Sequence, residues 1–168
     1  MKDKIRFVFS ELIATAGGAG YAPVAPGTFG SVVGVALVWL CLSWKIEHKF
    51  LLGLTLLFVG SWAGAEVNSR SGKADSNKIV IDEVLGMLIS TATISNGPNL
   101  SLNLLVAFSL FRFFDILKPP PCRQIDSWCK SLTPGTFQNG FGVMADDLAA
   151  GIQALIVYEI LFYLKVLV

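Results

Sequence analysis

Histidine occurs once in this chain, as His48, and charged residues make up only 15% of its 168 positions. A soluble domain usually carries about 25% charged residues. Cysteine is nearly as scarce, with Cys41, Cys122 and Cys129 at spacings that match neither a zinc ribbon nor a CxxC redox pair. Cys41 lies inside an apolar run, where a small hydrophobe is the simpler reading, and no disulfide framework is expected. No cysteine is followed six residues later by arginine, which excludes the Cys-phosphatase loop, and no DxDx[TV] run is present, which argues against the aspartyl-phosphate haloacid-dehalogenase class. The net charge of +1 leaves no basic field for nucleic acid.

What the chain has instead is apolar sequence in long runs. Hydrophobic residues reach 54% and the mean hydropathy is +0.64, too much for one soluble core. The expected fold class is all-α: one membrane-embedded domain over residues 1–168, a bundle of about five membrane helices. The apolar segments run over 29–43, 50–65, 79–94, 100–117 and 148–168. Residues 5–16, after the basic residues Lys2 and Lys4, read as a short interfacial helix. Glu11 interrupts that stretch, so a cleaved signal peptide is not expected. Asn96-Gly97-Pro98-Asn99 reads as a tight turn. The proline run Pro119-Pro120-Pro121 stops the fourth segment near Lys118 and opens a long loop to Ala145.

The basic residues set a topology. Lys2, Lys4, Arg6, Arg70, Lys73, Lys78, Arg112, Lys118, Arg123 and Lys130 fall on one side of five alternating spans, with only Lys45, Lys49 and Lys165 on the other. The positive-inside rule makes the first side cytoplasmic, with the N-terminus inside and the C-terminus outside. His48 then lies on the far side, which excludes mechanisms that need a histidine at the cytoplasmic face.

Acidic residues near a bilayer are costly, about 2.5–3.5 kcal/mol each at a helix centre. Asp82-Glu83 lies about one turn into the third segment, Asp115 near the end of the fourth and Asp146-Asp147 at the start of the fifth. The topology, drawn without them, puts all five at the cytoplasmic ends. Singly, each has a structural reading: Asp146 or Asp147 as an N-cap, Arg112 and Asp115 as an i,i+3 ion pair. Together, five carboxylates facing few cations would repel strongly, and a hard divalent metal with oxygen ligands resolves that repulsion. Asp75 and Glu66 fall on the same face without being candidates. The turn at Gly27-Thr28-Phe29-Gly30-Ser31, on that face too, suits an anion through backbone N–H groups and hydroxyls; a small-residue packing face is the alternative. Metal-assisted chemistry on a phosphate, with water as nucleophile, is what these residues leave open.

Four blocks, in order, resemble the phosphatidylglycerophosphatase A family. They are Tyr21 to Ser31 (YAPVAPGTFGS), Ile79 to Met87 (IVIDEVLGM), Phe111 to Pro119 (FRFFDILKP) and Gly140 to Gly151 (GFGVMADDLAAG). Pro120 and Cys122 depart from the family's usual residues after the Lys-Pro pair and leave the carboxylates untouched. The resemblance implies a Mg²⁺-dependent enzyme of the bacterial inner membrane, multi-pass and facing the cytoplasm, that hydrolyses phosphatidylglycerophosphate to phosphatidylglycerol and phosphate.

On that reading Asp82, Glu83, Asp146 and Asp147 hold one or two Mg²⁺ ions, and Asp115 is a further ligand or the general base. Lys118 and Arg112 neutralise the transferring phosphoryl group, while Gly27, Thr28, Gly30 and Ser31 cradle its oxygens. Two rivals belong to other classes. A CDP-alcohol phosphotransferase needs an Asp-Gly pair, which is absent. A transporter is expected to place polar groups near the midplane, whereas these acids gather at one end. Oligomeric state and acyl-chain preference are open at this stage.

Overall fold

The computed structural model describes residues 2–164, with the side chain of Lys2 left aside. Lys165 and the stretch of the fifth segment up to Val168 lie outside the described residues. Seven α-helices follow one another: α1 (Lys2–Ala14), α2 (Pro26–Leu40), α3 (Ile46–Ser71), α4 (Ile81–Ser90), α5 (Leu100–Leu117), α6 (Cys122–Ser131) and α7 (Phe137–Tyr163). A 3₁₀ turn, Ala19–Tyr21, lies between α1 and α2, and no strand occurs among the described residues.

The helix ends follow local chemistry. Pro26 opens α2 at a position where its missing N–H costs nothing. Gly72 closes α3 in the left-handed conformation, φ 67°. Lys118 closes α5 the same way at φ 46°, directly before the proline run. The Thr136 hydroxyl caps α7 by accepting from the Asn139 N–H at 3.2 Å.

Among the described residues three helices, α3, α5 and α7, are long and apolar enough to cross a bilayer, rather than the five expected. The expectation rests on the apolar runs, several of which are shorter than the about 20 residues of a full span. At 1.5 Å per residue, the 15 residues of α2 reach only about 22 Å and the 10 of α4 about 15 Å, against a hydrocarbon core of about 30 Å. The apolar character of α4 serves another purpose, since eight of its ten residues are buried in protein. It is the central helix, packed by α2, α3, α5 and α7.

Two further boundaries differ. The stretch from Pro119 to Ala145, expected as loop, contains α6 and the first turns of α7. Asp146 and Asp147 therefore sit more than two turns inside a 27-residue helix, and neither is its N-cap. Asp82 and Glu83 lie in the first turn of α4.

Helix α1 docks on α3 through the Arg6–Glu66 ion pair at 2.9 Å and the Arg70 guanidinium 3.9 Å over the Phe7 ring. Ile5, Val8, Phe9 and Leu12, spaced as one helical stripe, remain more than half exposed on its other side.

Candidate active site

Close helix packing brings the acids together. Gly86 of α4 lies against α7, where an added β-carbon would come 3.0 Å from the Asp147 carbonyl oxygen and would collide with the Phe111 ring. Gly151 of α7 lies against Gly86 in turn, 2.7 Å from its carbonyl oxygen on the same construction. Residues four apart share a helix face, so this contact sits one turn below Asp82 and Glu83 on α4 and below Asp147 on α7. Asp82, Glu83 and Asp147 consequently each offer an oxygen within 4.8 Å of the others.

Those three carboxylates are poorly satisfied by the protein. Asp82 Oδ1, Glu83 Oε2 and Asp147 Oδ2 are buried without a hydrogen-bond partner. Two ionised oxygens at 4.8 Å repel by about 3 kcal/mol or more at an effective dielectric constant of about 20, so ionising all three needs compensation. The donor set is entirely oxygen, which suits a hard cation such as Mg²⁺ or Ca²⁺ rather than zinc or copper.

The remaining acids are engaged by basic side chains. Arg112 contacts Asp115 at 2.7 Å and Glu83 at 3.8 Å, and its Nη1 donates to Ser31 Oγ at 3.4 Å. Lys118 reaches Asp146 directly and Asp126 at 2.8 Å. Asp146 thus faces the same cleft as the three-carboxylate cluster, but its oxygen is held by Lys118. The cleft has a volume of about 290 Å³ and is lined by seven carboxylates and two cations, Arg112 and Lys118.

The turn leading into α2 divides. Gly27 lines the cleft, and a β-carbon there would collide with the Glu83 carboxylate and come 3.2 Å from the Arg112 guanidinium. Ser31 is buried beneath it, donating to the Gly27 carbonyl at 2.8 Å. Thr28 does not line the cleft. Gly30 faces Val80, where a β-carbon would come 2.7 Å from the Val80 Cβ, a packing contact between α2 and the approach to α4.

Residues outside the sequence candidates complete the site. Asp75 and Asp126 both line the cleft, whereas Glu66 is spent on Arg6. Asp75 is exposed on its outer side, yet the protein packed about its carboxyl raises it above the usual range, against the pull of Lys118 and Lys130. Burial also works against the charge of Asp126, but hydrogen bonds from Lys118 and Lys130 hold its carboxyl below the usual range. The Lys118 ammonium, penalised by burial, is held above its usual range by Asp126 and Asp146.

The loop bearing Asp75 is fastened by two fully buried asparagines. Asn68 Nδ2 donates to the Ala74 carbonyl at 2.8 Å and to Asn139 Oδ1 at 2.9 Å; Asn139 Nδ2 donates to the same carbonyl at 2.6 Å. The Ser76 N–H donates to Asn68 Oδ1 at 3.1 Å. For Asp126 a signal was present in the sequence: Asp126 and Lys130 stand four apart, and Cys122, Ile125 and Cys129 form an apolar stripe, which together describe an amphipathic helix.

Comparison with known proteins agrees with this architecture of blocks. The family model for phosphatidylglycerophosphatase A matches residues 12–162. A Haemophilus influenzae phosphatidylglycerophosphatase A is 40% identical over 149 residues, covering 88% of this chain and 85% of that protein. The Escherichia coli phosphatidylglycerophosphatase A is 31% identical over 145 residues, covering 84% and 77%. A Bacteroides thetaiotaomicron protein provisionally named a phosphatidylinositol-3-phosphatase is 32% identical over 155 residues, covering 89% and 91%. No solved structure matches the chain. With the match running through every element that builds the cleft, the chain belongs to the phosphatidylglycerophosphatase A family.

Proposed function

We propose that this protein is a Mg²⁺-dependent phosphatase of the bacterial inner membrane that hydrolyses phosphatidylglycerophosphate to phosphatidylglycerol and inorganic phosphate. The observation that carries this reading is the cluster of Asp82, Glu83 and Asp147, each with one buried oxygen lacking a hydrogen-bond partner, in a cleft also lined by Arg112 and Lys118. Family membership supports the lipid phosphate substrate. The long apolar helices support a bilayer setting, and the basic loops on the cleft's side support a cytoplasmic opening.

Asp82, Glu83 and Asp147 would hold the metal, with Asp146 beside them. When bound, a hard divalent cation supplies positive charge that polarises the phosphate. Arg112 and Lys118 draw in the phosphoryl oxygens and stabilise the charge that spreads over them during transfer. Gly27 lets the Glu83 carboxylate and the Arg112 guanidinium close against the start of α2, where the helix terminus favours an anion; Ser31 accepts from the Arg112 guanidinium beneath, and Thr28 and Gly30 shape the turn that carries Gly27. Asp115 accepts the proton of the attacking water and returns it to the departing glycerol oxygen. The water oxygen–phosphorus bond forms as the phosphorus–glycerol oxygen bond breaks, so the products are an alcohol and inorganic phosphate.

Helix α1 would lie in the headgroup region with its apolar stripe down. The test is phosphate release by detergent-purified protein from phosphatidylglycerophosphate and from phosphatidylinositol 3-phosphate. Faster release from the first supports the proposal; release from the second alone transfers the reading to the inositol lipid.

A further inference from the structure

Asp126 joins the cleft from α6 and belongs to none of the sequence motifs. Its carboxylate is divided between two lysines: Oδ1 accepts from Lys118 Nζ at 2.8 Å and Oδ2 from Lys130 Nζ at 2.7 Å. Lys130 is more than half exposed, while Asp126 is largely covered. Lys118 therefore has two anchors, Asp126 and Asp146. They differ in kind, because Asp146 is adjacent in sequence to Asp147 of the carboxylate cluster, whereas Asp126 stands apart from that cluster on another helix.

We propose that Asp126 is a positioning residue that holds the Lys118 ammonium at the phosphate subsite independently of Asp146. The inference rests on the proposed function for the meaning of that subsite. A cation drawn to the carboxylates competes with Lys118 for Asp146, since both are attracted by the same oxygen. Without a second anchor Lys118, on a flexible four-carbon stem, would swing away from the cleft as the site fills. Asp126 prevents this through Oδ1, while its Oδ2 only meets the exposed Lys130 on the solvent side.

The test compares wild type with Asp126→Asn, Asp126→Glu, Lys130→Ala, Lys118→Ala and the double variant Lys118→Ala with Asp126→Asn. Two quantities are read besides turnover: inorganic phosphate affinity and Mg²⁺ affinity, each by calorimetry in detergent. Asp126→Asn is expected to raise KM and weaken phosphate binding by the same factor, about tenfold for one charge-assisted contact. Mg²⁺ affinity should stay within about twofold of wild type. Asp126→Glu should recover most of the loss, and Lys130→Ala should change phosphate affinity little. In the Lys118→Ala background, Asp126→Asn should add nothing.

Unchanged phosphate affinity in Asp126→Asn overturns the proposal. So does an equal loss in Lys130→Ala, or a further loss on top of Lys118→Ala. Should Asp126→Asn fail to fold, Asp126→Ser is read in its place with the same expected loss, and unchanged phosphate affinity in Asp126→Ser overturns the proposal. A wild-type protein that hydrolyses no lipid phosphate defeats the proposed function, and the phosphate-binding measurement then reads Asp126 on its own.

Discussion

Gly151 of α7 meets the backbone of Gly86 on α4 so closely that a β-carbon on Gly151 would come within 2.7 Å of the Gly86 carbonyl oxygen. The contact lies one helical turn below the carboxylates of both helices and sets their separation. Small residues at such a crossing let helix backbones approach where lipid offers no hydrophobic drive. Gly151→Ala should therefore force α4 and α7 apart, and Gly86→Ala should chiefly drive α4 off the Phe111 ring of α5, each costing about 1–3 kcal/mol of stability for an overpacked contact. Activity should fall further than stability alone explains. Gly97→Ala, where nothing lies within 4 Å, should match wild type. Thermal unfolding and phosphate release on the three variants check this.

Filling the carboxylate cluster with a cation should stabilise the fold. Ligand linkage gives about 2.7 kcal/mol at a hundredfold excess over Kd, which for a chain of this size raises the thermal midpoint by about 5–10 °C. Mg²⁺ added to EDTA-treated wild type should produce that rise, and Asp147→Asn should lose it. A wild type indifferent to Mg²⁺ in this measurement has no cation site.

The asparagine pair should act through the loop it fastens. Asn68→Ala or Asn139→Ala removes a donor from the part-buried Ala74 carbonyl and breaks the buried Asn68–Asn139 hydrogen bond, and stranded buried polar groups cost about 1–3 kcal/mol each. Hydrogen exchange should rise first across residues 72–80, ahead of α3 and α7, if the loop rather than the helix pair depends on these bonds.

Asp75 gives a pH prediction with a definite sign. Because partial desolvation lifts its carboxyl above the usual range, although the residue keeps an exposed side, the folded protein holds that proton somewhat more tightly than the unfolded chain does. Stability is then full below the ordinary carboxylate pKa of about 4 and declines as pH rises through the raised value. In EDTA, Asp75→Asn should unfold at a higher temperature than wild type at pH 7, with the difference vanishing near pH 4. A variant less stable than wild type at pH 7 reverses the sign and contradicts the desolvated position of Asp75.

The fold was legible where a helix is bounded by its own residues. The α5 limits, Leu100 and Leu117, coincide with the apolar run between the Asn-Gly-Pro-Asn turn and the proline run. Reading failed where tertiary burial mimics a membrane span. The apolar residues of α4 are there because four helices surround it, and hydropathy alone does not separate that from lipid contact. It failed again at α6, because the proline run was taken to begin a loop although prolines also open helices.

The five carboxylates were visible as costly residues at one end of the bundle. Their division was not, because it depends on packing across long sequence separations. Gly86 against Gly151 puts Asp82, Glu83 and Asp147 in one group, and the Lys118 side chain takes Asp146 into another. Asp126 stayed hidden for the same reason: its significance lies in Lys118, eight residues away across the proline run.

The central claim is that the Asp82–Glu83–Asp147 cluster drives phosphate removal from a lipid headgroup. The most direct measurement is phosphate release from phosphatidylglycerophosphate by wild type and Asp82→Asn, each with Mg²⁺ and with EDTA. Rapid release by wild type with Mg²⁺ alone, and a loss of at least about 10²-fold in Asp82→Asn, is the expected result. Near-normal release by folded Asp82→Asn, or by wild type in EDTA, would contradict it.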